Sequence, residues 1–568
     1  MENPTIDTLI NELDAAKHDW AKTGIGQRIL ILQGIKDSLI KVSDAWVKTA
    51  AQQKLIPAGS ALKGEEWFSG PYALMTYCNA MITTLSGMQG KKYLNSIPLR
   101  LLENGQIAAK TVPHSIWDHL LLSGVKAEVW MQKGVNMANL AANTATAYDP
   151  SGQRQAKVAL VLGAGNIAAI APLDCLDKLF CQHQVVILKM NPVNEYLTEF
   201  LQIALKPLID KNALRIVKGD AQLGEYLCNH PQIDEIHITG AGASHDAIVW
   251  GTGAQAVKNK KAARPVNRRR ITSELGNVGP TIVVPGPWSK ADLAFQAEHI
   301  ASQKLHNSGF NCIACQMLIL PKDWDKTEAL MQNLKAVMAK TPPRQMYYPG
   351  AKGRMAEFAS HSDTAQEFER GDAVACVVVP YEKGADDWYA ENEVFAPAMS
   401  TYQIAENDPA RYLQQAISFA NQELHGTLGA NIIIHPKTIK QIGKKQFEAL
   451  IYELHYGCIG INAWSGLGFL LNQIPWGAFP GHTLDDVQSG IGFVHNTFMF
   501  DKAERSVITA PFRPFPRSLL SGELSLMPRP PWFVTNKKQH KIGKLLTELQ
   551  HKPKWKKLPK IMFLALRG

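Results

Sequence analysis

Apolar positions set the first expectations. Through residues 1 to about 125 they recur at spacings of three and four, as in "GQRILILQGIKDSLIKVSDAWVKTAAQQ", and predict mainly helix. From Lys157 the pattern changes to short apolar runs separated by helical segments: "KVALVLGAG", "QVVILKM", "LRIVKG", "EIHITG" and "PTIVVPG". This rhythm predicts buried strands in a parallel sheet with helices on both faces. A second alternating block runs from about 310 to 465 through "CQMLIL", "ACVVVP", "GANIIIHP" and "IGINAW". After about 515 the chain becomes Pro-rich and then basic, which predicts a surface-wrapping arm and a mobile tail. At 568 residues the chain is too long for one simple core and suggests two or three domains.

Charge changes the picture less than its total suggests. The net charge is +10, but Lys537 to Gly568 holds ten Lys and Arg against Glu548 alone. Val257 to Arg270 adds seven more with no acid, and outside these stretches acids outnumber bases. The excess belongs to one loop and one tail, so no specific nucleic-acid partner is expected. The tail "KWKKLPKIMFLALRG" mixes Lys and Trp with an apolar end. It raises weak contact with an anionic membrane surface as one reading, against a solvated or packed tail. The first twenty residues lack the apolar core of a secretory signal, and no apolar run approaches membrane-spanning length. Eight scattered cysteines suit a reducing cytoplasm better than a disulfide framework.

Four stretches could carry chemistry. "LGAGNIA", Leu162 to Ala168, fits a dinucleotide fingerprint after a strand, yet the next strand ends in Lys189 where an acid is wanted. A phosphate cradle and a plain Gly turn are both open on these residues. "HITGAGASHD" leads from a strand into a helix start that could hold a pyrophosphate. In "ITSELGNVGPTIVV" a lone carboxylate, Glu274, sits among apolar residues and Gly. It is either a desolvated base or a partner for the Arg-rich loop before it. In "HNSGFNCIACQ", Cys312 and Cys315 lack the further ligands a zinc site needs and stand in mid-chain, unlike a thioredoxin-type pair. A nucleophile or a structural cysteine remains.

In order and separation these stretches together resemble the aldehyde dehydrogenase superfamily, over roughly residues 100 to 510. Asn307, Gly309, Cys312 and Ala314 match its nucleophile segment, with Phe310 in place of a Gln. Glu274-Leu275-Gly276-Asn277-Val278 is similar to its general-base segment, and Glu393-Val394-Phe395-Ala396-Pro397 to its nicotinamide-ribose segment. Counting back from Lys189 puts Asn166 where the family has its oxyanion amide.

The resemblance implies an α/β, aldehyde dehydrogenase-like fold. It would comprise a Rossmann-type cofactor domain with the N-terminal helices (1–270), an α/β catalytic domain (271–480), an oligomerisation strand and arm (481–535), and the basic tail (536–568). It implies Cys312 as nucleophile, Glu274 as general base and Asn166 as oxyanion donor. Lys189, Gly240, Ala241, Glu393 and Phe395 would bind the cofactor, NAD or NADP, and Cys315 would be a bystander. No metal is implied. The implied reaction oxidises a small-molecule aldehyde to an acid through a Cys thioester, in a homodimer or homotetramer. The apolar residues near Cys312 and in "WSGLGFLL" suggest a hydrophobic aldehyde. An acyl-thioester reductase and a silent scaffold on the same fold are the alternatives.

Overall fold

The computed structural model describes residues 3–149, 154, 156–341, 344–370 and 373–568. Two sheets organise it. A six-stranded sheet runs in the order Gly490–Ile491, Arg270–Leu275, Glu235–Gly240, Val158–Leu162, Val185–Lys189, Leu214–Val217. All its pairings are parallel except that of the two-residue edge strand. Residues 158–161 and 185–189 are wholly buried, as uniformly apolar runs require. Helix Pro4–Lys22 packs on this sheet. The buried Arg28, on the next helix, donates to Leu179 O at 2.8 Å and Trp20 O at 2.9 Å, tying the N-terminal helices to the segment just before strand Val185–Lys189.

The second sheet has eleven strands. Its parallel centre runs Ala503–Thr509, Cys458–Ile461, Gly429–Ile433, Gly279–Val283, Cys315–Pro321, Ala398–Ile404, Ala373–Pro380. Antiparallel strands extend it on both sides: Leu99–Leu101, Ile107–Val112 and Lys126–Met131 at one end, Gln366–Arg370 at the other.

Several features depart from the sequence expectations. The "mainly helix" stretch ends in strands from Leu99 onward, where "IAAKTV" and "KAEVWM" pair as neighbours. "PTIVV" belongs to the larger sheet, while Arg270–Leu275 joins the smaller one, so the chain crosses between sheets at Gly276 to Val278. The strand Ala503–Thr509, within the 481–535 segment, pairs with Cys458–Ile461 on one edge and Lys126–Met131 on the other.

The expected mobile tail is instead helical. Gln539–His551 packs on Lys63–Trp67, burying Ile542, Leu546 and Leu549 at helical spacing, and Leu558–Ala565 adds Ile561 and Leu564. Lysine-rich composition hides this apolar stripe. The approach is close enough that a Cβ on Gly64 would lie 2.6 Å from the Gln539 backbone, and one on Gly543 2.6 Å from Trp67 Cβ. Among the described residues no helix is long and apolar enough to cross a membrane.

Candidate active site

The site forms where the two sheets meet. Strand Arg270–Leu275 delivers Glu274, and the turn after helix Lys290–Leu305 delivers Cys312. Asn307, Ser308 and Gly309 are all left-handed, with φ of 52°, 54° and 79°, which reverses the chain ahead of Cys312. Gly309 cannot be replaced simply, because a Cβ would meet Ala396 O at 2.6 Å.

A buried ionic cluster holds this turn. Lys54 Nζ lies 3.0 Å from Glu66 Oε2 and donates to Asn166 O at 2.8 Å, while Arg344 pairs with Glu65. Glu65 Oε2 accepts from the Asn307 backbone N–H at 3.1 Å, and the Asn307 amide donates to Asn166 O at 3.2 Å and Phe310 O at 3.0 Å. Two cations face two carboxylates, so the buried charges compensate. The cluster joins the N-terminal helices to both the Asn166 turn and the Cys312 turn.

Cys312 Sγ donates to Glu274 Oε1 at 3.4 Å. Burial, then the nearby Asp174 charge, pushes the Glu274 carboxyl up to about 7. Burial also pushes the Cys312 thiol well above its ordinary range, helped by the Glu274 and Glu393 charges. The pair is therefore a neutral thiol beside a carboxyl that exchanges its proton near neutral pH. Asn166 donates one amide N–H to Phe310 O at 3.0 Å, which leaves its second N–H outside that bond. Asn166, Glu274 and Cys312 line one cavity of about 60 Å³, walled otherwise by side chains such as Phe68, Ile170, Trp464, Leu470 and Trp532.

The ion-pair reading of Glu274 does not hold. The Arg-rich loop is used elsewhere: Arg270 pairs with Glu235 at 2.8 Å, and Arg269 donates to the carbonyls of Cys228, His230 and Ile233. The donors that bear on the Glu274 carboxyl are the Cys312 thiol and the Trp476 indole, not an arginine.

A groove of about 730 Å³ opens from Cys312 across the carboxyl ends of the smaller sheet. All eight residues singled out in the sequence line it: Asn166, Lys189, Gly240, Ala241, Glu274, Cys312, Glu393 and Phe395. At one end helix Gly242–Trp250 begins from Ala241 with no side-chain cap, so its first N–H groups are left for a ligand. At the other end Glu393 is buried with Oε1 unpartnered, its carboxyl pushed up to about 8 chiefly by burial. Gly276 makes room for it, since a Cβ there would sit 1.9 Å from Glu393 Oε2. An orphaned carboxylate oxygen and an uncapped helix start in one groove fit the ribose and pyrophosphate of a dinucleotide. Sequence reading missed Asn191, Glu225, Tyr348 and Arg354, which also line the groove. Arg354 donates to Val394 O and Phe395 O at 3.0 and 3.1 Å and so holds the Glu393 segment. No motif marks it.

Cys315 begins the strand Cys315–Pro321 and belongs to a different apolar cluster from the one Cys312 packs against. Both thiols are free. The Phe310 departure is also placed: the ring is fully buried, 5.0 Å from Tyr347 and 5.5 Å from Tyr348.

A family model described as aldehyde dehydrogenase family matches residues 184–477, just over half of the chain. The chain belongs to this family. Among curated relatives, this aldehyde dehydrogenase family member is 28% identical to aldehyde dehydrogenase LUC3 of Fusarium sp over 162 residues, 28% of this chain and 32% of that protein. It is 25% identical to geranial dehydrogenase of Castellaniella defragrans over 261 residues, 44% of this chain and 49% of that protein. The matches thus span about a third to a half of these relatives' length. Solved structures match more widely. An NAD-dependent aldehyde dehydrogenase from Sinorhizobium meliloti aligns over 90% of this chain and 88% of its own, with TM-score 0.58 and 16% identity. A Mycobacterium tuberculosis aldehyde dehydrogenase complexed with NAD+ aligns over 88% of each chain, with TM-score 0.59 and 14% identity. At such identities the likeness establishes the fold, which is the α/β architecture expected.

The two raised carboxyls bear on stability. Each binds its proton more tightly folded than unfolded, so its contribution is full below about 4.5 and is lost as pH rises through about 7 for Glu274 and about 8 for Glu393. Glu274→Gln is expected to stabilise the protein relative to wild type at pH 8.5 by on the order of 3 kcal/mol, but little at pH 4.5. Urea unfolding of both proteins at the two pH values measures it, and an equal difference at both would contradict the assignment.

Proposed function

We propose that the protein oxidises an aldehyde to a carboxylic acid, with NAD or NADP, through a thioester on Cys312. The observation that carries this reading is the 3.4 Å contact of the Cys312 thiol with a buried carboxylate pushed up to about 7, at the mouth of a dinucleotide-sized groove. Glu274 takes the thiol proton as Sγ adds to the carbonyl carbon, and the resulting oxyanion accepts from the second Asn166 N–H. A nicotinamide held in the groove would supply the hydride acceptor that this oxidation requires. The groove residues Glu393 and Phe395 would hold its ribose end, while Gly240, Ala241 and Lys189 would hold the pyrophosphate and adenosine end. The thioester left on Cys312 is then attacked by water that Glu274 deprotonates, which releases the acid and restores the thiol. A carboxylate beside the sulfur favours hydrolysis over acyl transfer to a thiol. The site's apolar walls favour a hydrophobic aldehyde, a cytoplasmic setting fits eight scattered cysteines, and the family resemblance favours a homo-oligomer.

The test is a panel of aliphatic and aromatic aldehydes with NAD and NADP, followed by absorbance of the reduced nicotinamide. Aldehyde-dependent reduction with stoichiometric acid is expected. Aldehyde formation from acyl thioesters, with no oxidation in either cofactor, would overturn the proposal.

A further inference from the structure

A second cavity, of about 480 Å³, lies beyond the Cys312 cavity. Its walls come mainly from Phe68 to Val125 and Ala510 to Pro553, stretches outside the family-matched residues 184–477. Phe68, Leu467, Leu470 and Trp532 line both cavities, so these four side chains are the wall the two share. The inner space of about 60 Å³ has room for the reacting end of a substrate and little more. Anything larger has to pass between those four side chains.

The outer cavity has the size of a small-molecule site and its chemistry is that of a hydrocarbon host. Two of its charged groups are already engaged: Asp118 accepts the backbone N–H groups of His114 and Ser115 at 2.9 and 3.0 Å, and Arg513 pairs with Asp292 at 2.8 Å. The surface left to a ligand is dominated by Trp117, Leu121, Leu122, Phe295, Met527 and Phe533. Its surroundings are apolar too. Trp555, 61% exposed, packs its ring 4.8 Å from that of Trp117, and Leu524, 69% exposed, adjoins the lining residue Ser525.

We infer that the outer cavity receives the hydrocarbon tail of a long-chain aldehyde whose carbonyl lies at Cys312, with the C-terminal arm as its roof. This rests on the aldehyde-oxidising reading above and names its substrate class. The occupant follows from the wall shared with the Cys312 cavity and from a lining in which apolar side chains prevail, Lys36 being a charged group on that lining with no carboxylate paired to it among the described residues. The arm is more than a surface strap: Trp532 closes both spaces, and Pro530, Pro531 and Phe533 extend the roof.

The experiment compares kcat/KM for butanal, octanal and dodecanal. Apolar burial raises it by up to about fourfold per methylene, so dodecanal is expected to exceed butanal by about 100-fold or more. Ala80→Phe and Leu122→Trp each place a larger side chain into the outer cavity, and each is expected to lower that ratio about tenfold or more. Two variants on separate segments guard against one failing to fold. Dodecanol binding to Cys312→Ala protein, measured by calorimetry and lost with Ala80→Phe, probes the cavity without turnover. A wild-type ratio near one, or a ratio unchanged in both variants, would overturn the inference. Dodecanol binding without oxidation of any aldehyde would sink the dehydrogenase reading and leave the cavity assignment standing.

Discussion

Cys312→Ala is expected to abolish aldehyde-dependent reduction of the nicotinamide, lowering kcat by more than about 10⁴-fold with the fold intact. The methyl group leaves no atom to form the covalent bond, and no neighbouring thiol can substitute. Cys315, the nearest in sequence, lies in another apolar cluster with its thiol pushed up to about 11 by burial. Cys315→Ala therefore serves as the control and should retain most of the activity. Intact-mass analysis after single turnover adds a second reading, because an acyl adduct should appear on wild type and not on Cys312→Ala. Turnover by Cys312→Ala near the wild-type rate would remove the nucleophile from the mechanism.

The second large effect is on Glu274. A base works only unprotonated, so kcat should rise with pH through about 7 and level off above it. Glu274→Gln removes the proton acceptor for both the thiol and the attacking water. A loss of about 10²- to 10⁴-fold is expected, together with loss of the limb near 7. A wild-type profile flat from pH 6 to 8 would exclude Glu274 from this role. The working form is also the less stable one: between about pH 5 and 8 the site gains competence as the fold loses the proton its buried carboxyl prefers. Removal of the charge should thus stabilise and inactivate together, which loss of a purely structural residue would not do.

The eight site residues were legible only as a set. "LGAGNIA" alone could be a phosphate cradle or a turn, and Glu274 alone could be an ion-pair partner. Their order along the chain, with "HNSGFNCIACQ" and "ENEVFAP", identified the family and thereby the fold. The groove residues Glu225, Tyr348 and Arg354 stayed hidden because each arrives from a segment with no motif, brought there by packing, whereas Asn191 follows the strand-ending Lys189 by two residues and was passed over. The ionic cluster under the Cys312 turn was equally invisible, since Lys54, Glu65, Glu66 and Arg344 become neighbours only when the N-terminal helices dock. The C-terminal segment misled for a different reason. Charge composition outweighed an apolar stripe at Ile542, Leu546 and Leu549 that needs Lys63–Trp67 as its partner surface.

What the sequence determined by itself was periodicity and chemistry: buried parallel strands, their helical covers, and the few side chains able to act as nucleophile, base and amide donor. Local repeat and residue type carry that information without reference to neighbours. Tertiary structure alone decided which strands share a sheet, that Glu274 faces the Cys312 sulfur and not the arginines, and that the C-terminal arm roofs a second cavity. Each of those depends on contacts between residues far apart in the chain, where desolvation and close packing set the outcome.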